Sequence, residues 1–261
     1  MSASAAQLAC VAVAIAATGA HAANDGNDES PQATPYRPSV ATPAQLSAPG
    51  WLEIEAGGLR ARFVDGSKRD SVPTTFKLAF TPDWGVRVST DAWARLTDVG
   101  GTRTSGGGDT AVVLKRRFAV DDASAFGVEG TVSLPTAKSG LGSGGTDVSL
   151  TGIYSIDLPH GLHADLNLEP TRLQHVDPGS GHVQWLWAAS LSKTLDERWG
   201  VTIEPSGTHR QGADSTTQLL GAVTFNASRR VVLDAGLAQS LRHGDRERSA
   251  FAGVTWLATR L

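Results

Sequence analysis

Cysteine is all but missing from this 261-residue chain, with Cys10 the only one. That excludes a disulfide framework and a thiolate metal site. Excess charge is missing as well. Lys and Arg number 23 against 26 Asp and Glu, a net charge of −3, so there is no basic footprint for nucleic acid. Beyond the N-terminus no apolar run reaches the ~18 residues of a membrane-crossing helix. The glycine-rich stretches Gly106–Gly108 and Gly140–Gly145 lack the Gly-Lys-Ser/Thr ending of a phosphate loop. No His, Asp or Glu spacing suggests a metal. No cofactor and no metal are expected.

The first 22 residues read as a secretory signal. Leu8–Thr18 is apolar but short, and Ala20-His21-Ala22 offers the small residues of a cleavage site, although Met1–Gln7 carries no basic residue. Export with cleavage after Ala22 is the expectation. Residues 23–50 hold five prolines among small and polar residues and read as a flexible periplasmic linker without a core of its own. The ordered domain is expected over 51–261.

From Trp51 onward the apolar side chains fall at every second position. Over Trp84–Asp98 one face takes Trp84, Val86, Val88, Thr90, Ala92, Ala94 and Leu96, and the other Arg87, Ser89, Asp91, Trp93, Arg95 and Thr97. Such alternation is a strand with one apolar and one polar face. Similar segments begin near residues 51, 71, 84, 109, 124, 146, 161, 183, 198, 216, 231 and 249. Short turns at Pro82-Asp83, Asp121-Asp122, Pro159-His160, Asp196-Glu197 and Ser228-Arg229 alternate with longer loops, among them Val99–Gly108 and Ala137–Gly145. Soluble strands average about 5–6 residues, whereas a tilted membrane-crossing strand needs about 9–11. The segments have the longer length. The pattern predicts an all-β, up-and-down antiparallel transmembrane β-barrel of about 12 strands. A soluble β-sandwich is the competing architecture. Trp51, Trp84, Phe118, Phe126, Trp199 and Phe251 fall near predicted strand ends, where an interfacial girdle would put them.

Gly108-Asp109-Thr110 leading into Val112-Val113-Leu114-Lys115, then Leu134-Pro135-Thr136 followed by Gly140, Gly142, Gly144 and Asp147, resembles the outer-membrane transporters named for the MetA pathway of phenol degradation. Thr81-Pro82-Asp83-Trp84-Gly85-Val86 and Asp165-Leu166-Asn167-Leu168 are similar to that family too. The resemblance implies a Gram-negative outer-membrane barrel that passes small solutes, aromatic or hydrophobic ones among them. Outer-membrane lipid and the barrel assembly machinery would be its partners. The chain departs from common barrel practice by ending in Leu261 and not in an aromatic residue.

With the apolar face toward lipid, the polar face lines the lumen. The expected solute path is Arg87, Asp91, Arg95, Lys115, Arg117, Glu129, Asp147, Asp165, Glu169, Glu204 and Asp234, with Glu53, Glu55, Lys77, Asp109, His163 and Arg242 on the same face. Both signs are present, so no single-charge selectivity ring is expected. Two other readings stay open: charges that pair across the lumen and block it, and a barrel-embedded lipid hydrolase using His163 or His209. No Gly-x-Ser-x-Gly elbow supports the hydrolase, and no catalytic residue is expected.

Overall fold

The computed structural model describes residues 31–241 and 247–261; residues 1–22, the expected signal peptide, and Arg242 lie outside the described residues. Among the described residues thirteen strands form one sheet: β1 (Trp51–Arg62), β2 (Lys68–Ala79), β3 (Trp84–Thr97), β4 (Arg103–Gly106), β5 (Thr110–Ala119), β6 (Ser124–Leu134), β7 (Asp147–Leu158), β8 (Leu162–Arg172), β9 (Val183–Thr194), β10 (Trp199–Arg210), β11 (Thr216–Ser228), β12 (Val231–Ser240) and β13 (Arg248–Arg260). Each pairs antiparallel with its neighbour, and β1 pairs with β13, closing the sheet. β3 holds β5 along its first half and β4 along its last turn of pairing. These two are halves of one stave, so the molecule is a closed, 12-strand up-and-down barrel. The sequence places β4 in a loop because Gly106-Gly107-Gly108 interrupts the alternation there.

Closure leaves no long strand with an open edge; the short β4, paired with β3 alone, ends the sheet at the long-loop side. The outer face follows the alternation: on β6, Phe126, Val128, Val132 and Leu134 point outward, while Ala125 and Glu129 are buried. Trp84, Phe118, Phe126 and Trp199 stand outward at the short-turn rim, and Trp185 outward near the other end. Phe251 is not part of this girdle. It points inward and packs on Leu220, Ala222 and Ala238, with Leu59 beside them.

The short turns are tied by their own carboxylates. Asp121 accepts from the Ser124 hydroxyl and the Ala123 N–H, and Asp196 from the N–H groups of Arg198 and Trp199. These bonds hold both carboxyls below their usual range. The turns therefore keep this support above the ordinary carboxylate pKa and lose it as pH falls through the lowered one.

One irregularity changes which residues face the lumen. Val72 pairs with Trp93 but Pro73 pairs with Asp91, so Ala92 is an extra residue in β3. A bulge of one residue swaps the faces beyond it. Ala94 is fully buried while Trp93 is exposed and Arg95 half-exposed. Deleting Ala92 is therefore expected to leave every other β3 side chain on its present face, and the protein should keep its heat-modifiable migration. Deleting Ser89 should turn Arg87 or Asp91 toward lipid and abolish it. Gel mobility of unheated, membrane-extracted protein separates the two outcomes.

Residues 31–50 correct the expectation of a flexible linker. The Ala33 N–H bonds to the Arg229 carbonyl at the β11–β12 turn, and the Gly50 N–H bonds to the Ala79 carbonyl at the end of β2. Both lie on the short-turn side. Between them the chain dips into the barrel, and residues 35–44 are all buried. The sequence rule fails for a physical reason: the core this segment lacks is supplied by the wall around it. Pro35, Pro38 and Pro43 have no N–H to satisfy, and their fixed φ lowers the entropy lost on ordering.

Candidate solute path and its resident segment

The segment is gripped from nearly all sides. On β1, Glu53 accepts the Thr34 N–H and Glu55 the Tyr36 N–H, at 2.7 and 2.6 Å. On β10, Glu204 takes the N–H groups of both Val40 and Ala41. On β8, Asn167 accepts from the Thr42 N–H and donates to the Thr42 carbonyl, and on β7 the Ser155 hydroxyl accepts from the Ala44 N–H. The N–H groups of residues 34, 36, 40, 41, 42 and 44 thus each meet a wall side chain, several of them charged. The bonds to the carboxylates contribute about 1.5–3 kcal/mol each and those to Asn167 and Ser155 about 0.5–1.5, set against about 1–2 kcal/mol per residue for ordering the backbone.

Two side chains anchor it. Arg37 forms a bidentate pair with Asp234 on β12, both bonds 3.0 Å, with both side chains almost wholly buried. Its guanidinium lies on the backbone of Gly57 and Gly253, which face each other across β1 and β13. A Cβ on Gly57 or Gly253 would stand 2.7 or 2.6 Å from that guanidinium. Glycine is needed there for close approach. Tyr36 lies among cations, with Lys77 Nζ 3.8 Å and Lys115 Nζ 4.4 Å from its ring centre. Its hydroxyl donates to the Gln45 carbonyl and accepts from Lys115.

Lys77 stands between Glu53 and Glu55, at 2.5 and 2.6 Å. Glu129 joins Arg87 and Lys115, at 2.8 and 3.1 Å. Lys115 also bonds to the Pro43 carbonyl. Asp165 accepts from Ser155, Ser190 and His163, and the other His163 nitrogen meets Asp157. Arg87, Lys115, Glu129, Asp165, Glu204 and Asp234 of the expected path therefore lie together in the short-turn half, around the segment.

The remaining expected residues are elsewhere. Asp91 pairs with Arg69 at 2.7 Å in the long-loop half. Glu169 accepts from Thr151 and Thr171 on the same side. Asp147 accepts the Gln174 N–H at the long-loop rim, and Arg117 lies 4.0 Å from Asp83 at the short-turn rim. Asp109 holds the N–H groups of Ala137 and Ser143, so it fixes the β6–β7 loop. Arg95 is a correction: the Ala92 bulge turns it outward, where it pairs with Asp70 at 2.7 Å beside Trp93.

Sequence reasoning missed Tyr36, Arg37, Ser155, Asn167 and the segment's backbone. A signal was present. Gly57, Gly85, Gly127 and Gly253 occupy inward positions, and a Cβ there would meet Arg37, Leu46, Ala44 and Arg37 again. Inward glycines on four strands mark where a second chain approaches the wall.

The two histidines are held differently. Both His163 nitrogens are taken by carboxylates. His209 is exposed at the end of β10, with Nδ1 2.9 Å from the Ser215 hydroxyl.

No protein-family model and no curated protein sequence matches the chain. Solved structures do. An outer-membrane channel from Pseudomonas putida F1 superposes with a TM-score of 0.63 at 14% identity, covering 81% of this chain and 97% of that one. The NanC porin gives 0.60 at 9% identity, covering 78% and 98%. CymD, described as a monoaromatic hydrocarbon channel, gives 0.50 at 9%, covering 80% and 88%. At these identities the likeness is one of fold, and the fold is that of an outer-membrane β-barrel of the channel and porin kind.

Proposed function

We propose that the chain is an outer-membrane channel for small solutes, narrowed on its periplasmic side by its own residues 34–47. The observation that carries this reading is a closed barrel, apolar outside, whose inner wall carries polar side chains in both its short-turn and its long-loop half. Hydroxyl and amide groups of Ser71, Thr131, Ser149, Thr171, Ser206 and Gln218 continue the polar lining beyond the segment toward the long loops. A water-filled path needs a polar lining of this kind.

The aromatic or hydrophobic solute class implied by the MetA-pathway resemblance has a physical counterpart. Leu59, Leu220 and Phe251 place an apolar patch inside the lumen, and a fold neighbour is described as a monoaromatic hydrocarbon channel. Insertion by the barrel assembly machinery belongs to the same reading.

Purified full-length protein in planar bilayers should give small conductance steps, and liposomes carrying it should take up small solutes. No conductance together with no uptake overturns the channel and favours a barrel sealed by its segment. Lipid hydrolysis by purified protein would instead favour the enzyme, against the engaged ring nitrogens of His163.

A further inference from the structure

We propose that the solute is a planar organic cation with an apolar body, a guanidinium or amidinium compound, whose site Arg37 fills in this state. The inference rests on the channel reading and names its solute class. It starts from what the wall acids would face without the segment. Glu53 and Glu55 keep Lys77, Glu129 keeps Arg87 and Lys115, and Asp165 keeps His163 and its serines. Asp234 and Glu204 differ, because their partners are Arg37 and the Val40 and Ala41 N–H groups, all on the segment. The vacated lumen therefore presents two uncompensated carboxylates, and it attracts cations and repels anions.

The Asp234 site is shaped for one kind of cation. Its two oxygens take a fork of two N–H groups, the geometry of a planar delocalised cation and not of an ammonium. The floor of Gly57 and Gly253 admits a flat group and would be filled by any side chain. Two residues farther along the same inward faces stand Leu59 on β1 and Phe251 on β13, packed with Leu220, Ala222 and Ala238. A carboxylate fork, a flat floor and an apolar wall thus adjoin. An aryl or alkyl group on the cation would bury itself on that wall, at about 25 cal/mol per Å² of apolar surface.

The test uses the full-length chain with Arg37→Ala, and Arg37→Gln where alanine impairs assembly. Benzamidine is the probe, with neutral benzamide of the same shape and anionic benzoate as comparators. Benzamidine should raise the temperature at which the variant loses its folded gel mobility, and benzamide should not. The effect should vanish in Arg37→Ala combined with Asp234→Asn. Liposomes carrying the wild-type protein should admit benzamidine faster than benzoate by on the order of tenfold. Equal stabilisation by benzamide, or stabilisation that persists in the double variant, overturns the cradle. Benzoate crossing as fast as benzamidine overturns the solute class. Rescue without uptake of any of the three overturns the conduit reading, and the solute role with it, while leaving the cradle standing.

Discussion

Asp234→Ala is expected to release the lumenal segment while the barrel stays assembled. The Arg37–Asp234 pair is almost completely buried, with both guanidinium-carboxylate bonds at 3.0 Å. Removing one member of such a pair costs about 3–5 kcal/mol, because the other is left buried and unpaired. The barrel has no need to pay that cost. Its twelve long strands each have a partner on both sides, whereas the segment can withdraw and return Arg37 to water. The cost therefore falls on docking, and the undocked fraction should rise on the order of a hundred- to a few-thousand-fold. Ser39, fully buried on the segment, reports it. A Ser39→Cys thiol should resist maleimide in the otherwise native chain and react readily once Asp234→Ala is added. Asp234→Asn, which keeps one acceptor and the shape but not the charge, should fall between. Equal labelling in all three would show that the pair does not hold the segment.

The barrel was legible in the sequence because membrane strands impose a simple code. A period of two, a length set by the bilayer and turns of alternating length are all local properties. Strand starts read from β6, β9, β11 and β12 coincide with the structure for that reason. Arg95 shows where the code fails: the extra Ala92 leaves the alternation unbroken in sequence while reversing its meaning in space. The segment was illegible for a different reason. Its prolines and small residues look like those of a linker when judged alone, and its stability comes from residues as distant in sequence as Asn167, Glu204 and Asp234. The lumenal acids were identifiable, but their partners were not, since a charge read as lining an open path could equally be taken by a chain inside it.

Locking the segment in place should suppress whatever current or uptake the channel carries, and reduction should restore it. Ala44 on the segment and Ala125 on β6 share one buried cluster with Ile153, and both are almost fully enclosed. Cysteines at these two positions, in a chain whose Cys10 is replaced by serine, would lie within one shared buried cluster, and a non-reducing gel reports whether the bridge forms. The bridge closes a loop between residues far apart in sequence and adds to the native hydrogen bond from the Ala44 N–H to Ser155. Passage that needs the segment to move aside should fall to background on oxidation and return with dithiothreitol, while either single cysteine stays insensitive to redox state. Passage that persists under oxidation would mean that solutes slip past a docked segment. The wall pairs of Lys77, Arg87 and Lys115 around Tyr36 argue against that outcome, because a cation-lined aromatic packed between β1, β2, β3 and β5 leaves that side of the lumen filled.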